Sequence, residues 1–197
     1  LGTPFLGVKL GAPWASVLPP DVESREGFDT LNEKFGPGEA SPIIVVYSSP
    51  TDIFSPANIG TIYEHGQTLS ADPRVSRVDS IVTINPNFDL QQYQMMYQNQ
   101  TDIDDTSLTN ALNYMTSDYA TFMSVVPKHE IMAEQSQDLV RSIRSFSQTG
   151  DVTMYVSGGT ADLMDSIKVM YGQFPFVVAY LLITIYIALF LLFRSVI

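Results

Sequence analysis

The feature that most constrains this chain is the run Phe174 to Phe193, FPFVVAYLLITIYIALFLLF, which contains no charged residue. A helix rises about 1.5 Å per residue, so about 20 residues cross the ~30 Å hydrocarbon core of a bilayer. A secretory signal would lie at the other end of the chain with a shorter apolar core. A core helix of a soluble protein is seldom apolar on every face over five turns. The run therefore predicts a membrane-spanning helix over 173–197. Arg194 directly follows it, which favours that end as cytoplasmic.

The rest of the chain has a different character. Net charge is −11. Leaving out Arg194, the one charge beyond position 173, puts −12 on residues 1–173. Such a surface argues against nucleic acid and anionic lipid headgroups as partners. There is no Cys, which excludes disulfides and thiolate metal sites. His65 and His129 are far apart, without ligand-like spacing. The first residue is Leu1, and the opening LGTPFLGVKLG reads as the exit from a preceding membrane helix (1–16), so a longer membrane protein is expected. Residues 17–172 then form an extracytoplasmic domain.

Local signals lay out that domain. Asp21 is the expected cap of a first helix, with Glu23 and Glu26 in its opening turns and Phe28, Leu31 and Phe35 on one apolar face. Gly36-Pro37-Gly38 stops it. Pro42 to Tyr47 reads as a buried strand. Ser55-Pro56 opens a helix carrying Ile59, Ile62, Tyr63 and Leu69, and Asp72-Pro73 ends it. The β-branched content of Val75 to Ile84 predicts a second strand. Residues 87–118, rich in Gln, Asn, Tyr and Met and free of Lys and Arg, predict an insert of two helices, 87–98 and 106–117. Tyr119 to Val126 is a strand. Met132 to Phe146 is a helix, closed by Gly150, with Arg141 and Arg144 near its C-terminus. Val152 to Val156 is a strand, and from Thr160 a helix runs on into the span. Two β-α-β halves of similar size predict an α+β fold, a ferredoxin-like β-α-β repeat sheet with a two-helix insert, followed by one transmembrane helix.

Chemical motifs are sparse. Asp102, Asp104 and Asp105 lack the Gly and distal Glu of a calcium loop. No Ser sits in a nucleophile elbow. Gly158-Gly159 lacks the Lys of a phosphate-binding loop and reads better as a tight strand-to-helix turn. The sequon at Asn99 reads as chance. No enzyme, metal or cofactor is expected. Phe88, Tyr93, Met95, Met96 and Tyr97 have two readings, an apolar face that caps the sheet or a surface that repacks around a greasy ligand.

In order and spacing, these pieces resemble a known family. They are Leu18-Pro19, Glu23-Ser24-Arg25, Phe28-Asp29, Phe35-Gly36-Pro37-Gly38 and Asp72-Pro73-Arg74-Val75, then Tyr119 to Lys128, Gly158-Gly159-Thr160-Ala161 with Asp165, and Phe193 to Val196. From about residue 10 to 197 the chain resembles MmpL-type transporters of the resistance-nodulation-division (RND) superfamily, in particular the second-half porter domain and following helix. The resemblance implies a proton-driven, multi-pass exporter of hydrophobic or lipidic molecules in the cell membrane. Its partners would be the other porter domain and membrane helices of the same chain, with a homo-oligomer left open. It implies a coupling role for Gly158, Gly159, Thr160, Ala161 and Asp165. The family's proton-relay residues lie outside this segment. The rival expectations are a single-span anchored binding or sensor domain, and a protein-export component of the same superfamily.

Overall fold

The computed structural model describes residues 15–98, 106–147 and 151–193. The expected exit segment up to residue 14, the sequon, Asp102 to Asp105, Gly150 and Arg194 to Val196 lie outside the described residues. The chain falls into two compact units, with the boundary between Asp162 and Leu163.

After a 3-10 turn at Ala15–Val17, the first unit runs α1 (Glu23–Phe35), β1 (Ile43–Ser48), α2 (Pro56–Ser70), β2 (Val75–Asp79), α3 (Leu90–Gln98), α4 (Thr106–Met115), β3 (Thr116–Ser117), β4 (Ala120–Pro127), α5 (Glu134–Arg144) and β5 (Thr153–Ser157). It is an α+β unit built on one antiparallel sheet. Strand order is β2-β4-β1-β5, and β3 adds to β4. β1 and β2 both run antiparallel to β4 and flank it, so they are parallel to each other. β4 and β5 stand in the same relation to β1. Thus α2 and α5 each carry the chain over one intervening strand.

The core lies on one face of this sheet. Ile43, Val45 and Tyr47 of β1 alternate inward with Met123 and Val125 of β4, all fully buried. Ile59, Ile62 and Leu69 of α2 and Leu139, Val140 and Ile143 of α5 are buried with them. Tyr47 meets His65 of α2, and His65 meets Phe146 just beyond α5, which places both crossover helices on that face. Each such side chain contributes about 1.5–3 kcal/mol on leaving water.

Several local expectations are corrected. Asp21 does not cap α1. The helix begins at Glu23 behind Val22, which makes no side-chain cap. No residue of α1 is buried, and Phe35, beside the stop at Gly36, is 70% exposed. The FGPG turn serves packing, since a Cβ on Gly38 would strike the Pro127 carbonyl oxygen at the end of β4. The strand expected over Val75 to Ile84 ends at Asp79. There the Thr83 hydroxyl donates to the Val78 carbonyl at 2.9 Å and accepts from the Ser80 N–H at 2.9 Å, folding Ile81 and Val82 into a buried turn. α3 begins at Leu90, three residues later than expected, because Asp89 and Gln92 exchange reciprocal 2.8 Å bonds that fix the helix start. α4 stops at Met115, and Thr116–Ser117 join the sheet instead. α5 is shorter at both ends than the 132–146 expected. The Asp72-Pro73-Arg74 motif is a brace. Arg74 pairs with Asp72 at 2.6 Å and donates to the Ser142 hydroxyl of α5 at 3.1 Å.

α6 (Gly159–Phe193) starts in the first unit, and its length from Leu163 belongs to the second. It is long and apolar enough to cross a membrane, and none of its most apolar stretch is buried.

Candidate functional site: the open face of the sheet

Among the described residues, the crossover helices leave the other face of the sheet partly open. Strand alternation puts Ile44 and Val46 of β1 on that side, each half-buried. Register sets Val46 between Phe122 of β4 and Tyr155 of β5. Tyr114, near the end of α4, meets Phe122 edge-on with ring centroids 5.8 Å apart. Ile44, Val46, Tyr114, Met115 and Phe122 wall an open cavity of about 460 Å³. Ser117 supplies a hydroxyl, those of Thr116 and Thr121 being donated to the Leu112 and Met115 carbonyls, and no residue lining the cavity is charged. In a chain of net charge −11 such a lining is distinctive. The volume is that of a small-molecule pocket, and apolar walls with a few polar groups suit an apolar ligand carrying a hydrogen-bonding end. Two smaller openings nearby, about 230 and 380 Å³, share Phe54 and Asp118 and are more polar.

The insert residues expected to contact substrate are placed differently. Tyr93 and Tyr97 are 1% and 3% exposed. The Tyr93 hydroxyl donates to the Asn85 carbonyl at 2.7 Å and accepts from the Asn85 N–H at 2.9 Å. The Tyr97 hydroxyl donates to the Ile81 carbonyl at 2.5 Å. Burial raises the pKa of both phenols. These two tyrosines pin α3 over the turn after β2. Phe88 packs edge-on against Tyr93 at 5.5 Å. Met96 is half-buried, and Met95, 56% exposed, points to solvent. None of the five lines the cavity. The insert reaches it at its other end, through Tyr114 and Met115. Sequence reasoning missed Tyr114, Phe122, Ile44 and Val46, whose one local signal was the i, i+2 alternation in β1.

The glycine motif is a close-packed turn. Gly158 has φ 100°, and a Cβ there would collide with the Pro42 carbonyl oxygen and approach Ile43 Cα to 3.2 Å. A Cβ on Gly159 would collide with the Ser41 hydroxyl and meet Ile131 Cδ1 at 3.1 Å. Thr160 and Ala161 are fully buried, and the Asp162 N–H closes the first turn of α6 on the Gly158 carbonyl at 2.9 Å. Asp165 is exposed and belongs to the second unit. Among the described residues, no group of three or more His, Cys, Asp or Glu gathers as a metal site. Compared with known proteins, the chain matches no family model and no curated protein.

Proposed function

We propose that this chain is part of a proton-driven, MmpL-type transporter of the RND superfamily, exporting hydrophobic or lipidic molecules. Residues 17–172 would be an extracytoplasmic porter domain of ferredoxin-like type, and the apolar part of α6 a membrane helix of a multi-pass protein. The observation that carries the reading is the uncharged, aromatic-walled cavity on the open sheet face of a chain that also holds a helix able to span a bilayer. The two interleaved crossover units around β1 and β4 support the ferredoxin-like assignment. Tyr114 and Phe122 are the side chains expected to grip an apolar chain.

A photoactivatable fatty acyl probe, applied to the detergent-solubilised chain, tests this. Labelling should map by mass spectrometry to residues 114–122, and Phe122→Ala with Tyr114→Ala should reduce it several-fold. Labelling confined to α6 would overturn the assignment of the cavity. The rival reading, a single-span anchored binding domain, draws on the fact that one helix among the described residues passes the length and hydropathy test. A protonophore separates the two. Export by cells making the parent protein should stop under the transporter reading, whereas probe binding by an anchored domain should be indifferent.

A further inference from the structure

Sheet edges carry rows of unpaired backbone N–H and C=O groups, so they pair with other strands unless guarded by charge, bulges or proline. The two edges of this sheet differ. On β2, Arg77 is ion-paired to Asp79 and to Glu39, each at 2.8 Å, and the register with β4 shifts between Val75 and Arg77. β5 is guarded less. Its sequence, TMYVS, has neither charge nor proline, and it pairs with β1 in continuous register from Ser48↔Thr153 to Ile44↔Ser157. Among the described residues no strand lies on its outer side. Two charged groups touch it: the Arg144 guanidinium donates to the Val156 carbonyl at 3.5 Å, the outer limit of a hydrogen bond, and the Ser157 hydroxyl donates to the Asp162 carboxylate at 3.3 Å.

The pattern of β5 is also self-complementary. Setting two copies antiparallel about Tyr155 places Thr153 opposite the second copy's Ser157, Met154 opposite its Val156, and Tyr155 opposite its counterpart. Met154 and Val156 lie beside Tyr47 and Val45 on the helix-covered side, whereas Tyr155, 59% exposed, lies beside Val46 on the open side. Apolar thus meets apolar on one face, aromatic meets aromatic on the other, and hydroxyls meet at the ends, which are favourable cross-strand pairs. A slip of one residue would set Tyr155 against Val156, turning one copy's open face toward the other's covered face.

We infer that β5 is a homotypic pairing edge, through which two copies of this chain join antiparallel strands centred on Tyr155 into one continuous sheet. A second copy is the occupant because the residue pattern reads alike from both ends, as a two-fold interface requires. The inference goes beyond the transport reading and stands whether or not that reading holds.

The absence of Cys makes the test direct. In the full chain in detergent, Tyr155→Cys should form a disulfide-linked dimer on mild oxidation. Opposed Cα atoms in an antiparallel pair are about 4.5–5.5 Å apart, within disulfide reach. Thr153→Cys or Ser157→Cys alone should give about tenfold less, their like positions being too far apart, and mixing the two should restore cross-linking. The unaltered chain should show twice the 21.8 kDa protein mass of one copy, and Tyr155→Lys, which opposes two cations, should return it to one. A monomer at every concentration, equal cross-linking at all three positions, or a dimer that survives Tyr155→Lys would overturn the inference.

Discussion

His65 Nδ1 lies 3.2 Å from the Tyr47 hydroxyl, joining α2 to the inner face of β1 beneath the ring of Phe146. Burial is the dominant influence on this imidazole and lowers its pKa from 6.5, against a hydrogen bond the ring donates to the Ser147 backbone and the charge of Glu64. The folded state therefore binds the proton less readily than the unfolded chain. The stability tied to neutral His65 is complete above about pH 6.5 and is lost as pH falls through the lowered value. Thermal unfolding followed by circular dichroism should show a midpoint that drops between pH 7 and pH 5. His65→Phe should remove that part of the drop while costing about 1–3 kcal/mol at pH 7, because the buried Tyr47 hydroxyl loses its partner. Adding Tyr47→Phe should recover part of the loss.

Gly158→Ala should destabilise the first unit by about 2–4 kcal/mol, combining a positive φ with a collision against strand backbone. Gly27→Ala is the control. It lies mid-helix in α1, and nothing lies within 4 Å of its added Cβ. It should stabilise by about 0.5–1 kcal/mol. Denaturant midpoints of the two variants decide the matter, and equal effects would show that the turn tolerates a side chain.

Tyr97→Phe and Tyr93→Phe should each cost about 0.5–1.5 kcal/mol, since each removes a hydroxyl bonded to the backbone, that of Ile81 buried and that of Asn85 half-buried. Met95→Ala should stay within about 0.5 kcal/mol. If ligand binding rather than stability followed the two tyrosines, the structural role assigned to them would fail. Hydrogen exchange at Ile81 to Asn85 should rise in both phenylalanine variants, because that turn loses its anchor.

Leu182→Arg, in the exposed apolar stretch of α6, should cost about 2.5–3.5 kcal/mol of membrane insertion. Alkaline extraction of membranes should then release a larger fraction of the variant. Unchanged retention would argue against α6 as a membrane anchor.

Much of the fold was legible locally. The apolar run Pro42 to Tyr47 announced β1. Ser55 does accept the Asn58 N–H at 3.4 Å, with Pro56 opening α2 as its sequence promised. Capping and periodicity act over three or four residues, so a sequence states them outright. Where a side-chain hydrogen bond competed with the strand pattern, as at Thr83, the β-branched composition misled. The insert was ambiguous for a related reason. Tyr and Met are apolar whether they face the sheet or a ligand, and composition does not say which way they turn.

The sequence alone determined that a helix is long and apolar enough to cross a membrane, that an acidic α+β unit precedes it, and where most of that unit's elements begin and end. Only the tertiary structure decided which strands are neighbours, that Tyr93 and Tyr97 are buried while Tyr114 and Phe122 are not, and that Ile44, Val46 and Phe122 share an open face. The division has a physical cause. Propensity, capping and hydropathy are written in neighbouring residues, whereas register and burial depend on contacts between residues such as Val46 and Phe122, far apart in sequence and brought together only when the sheet forms.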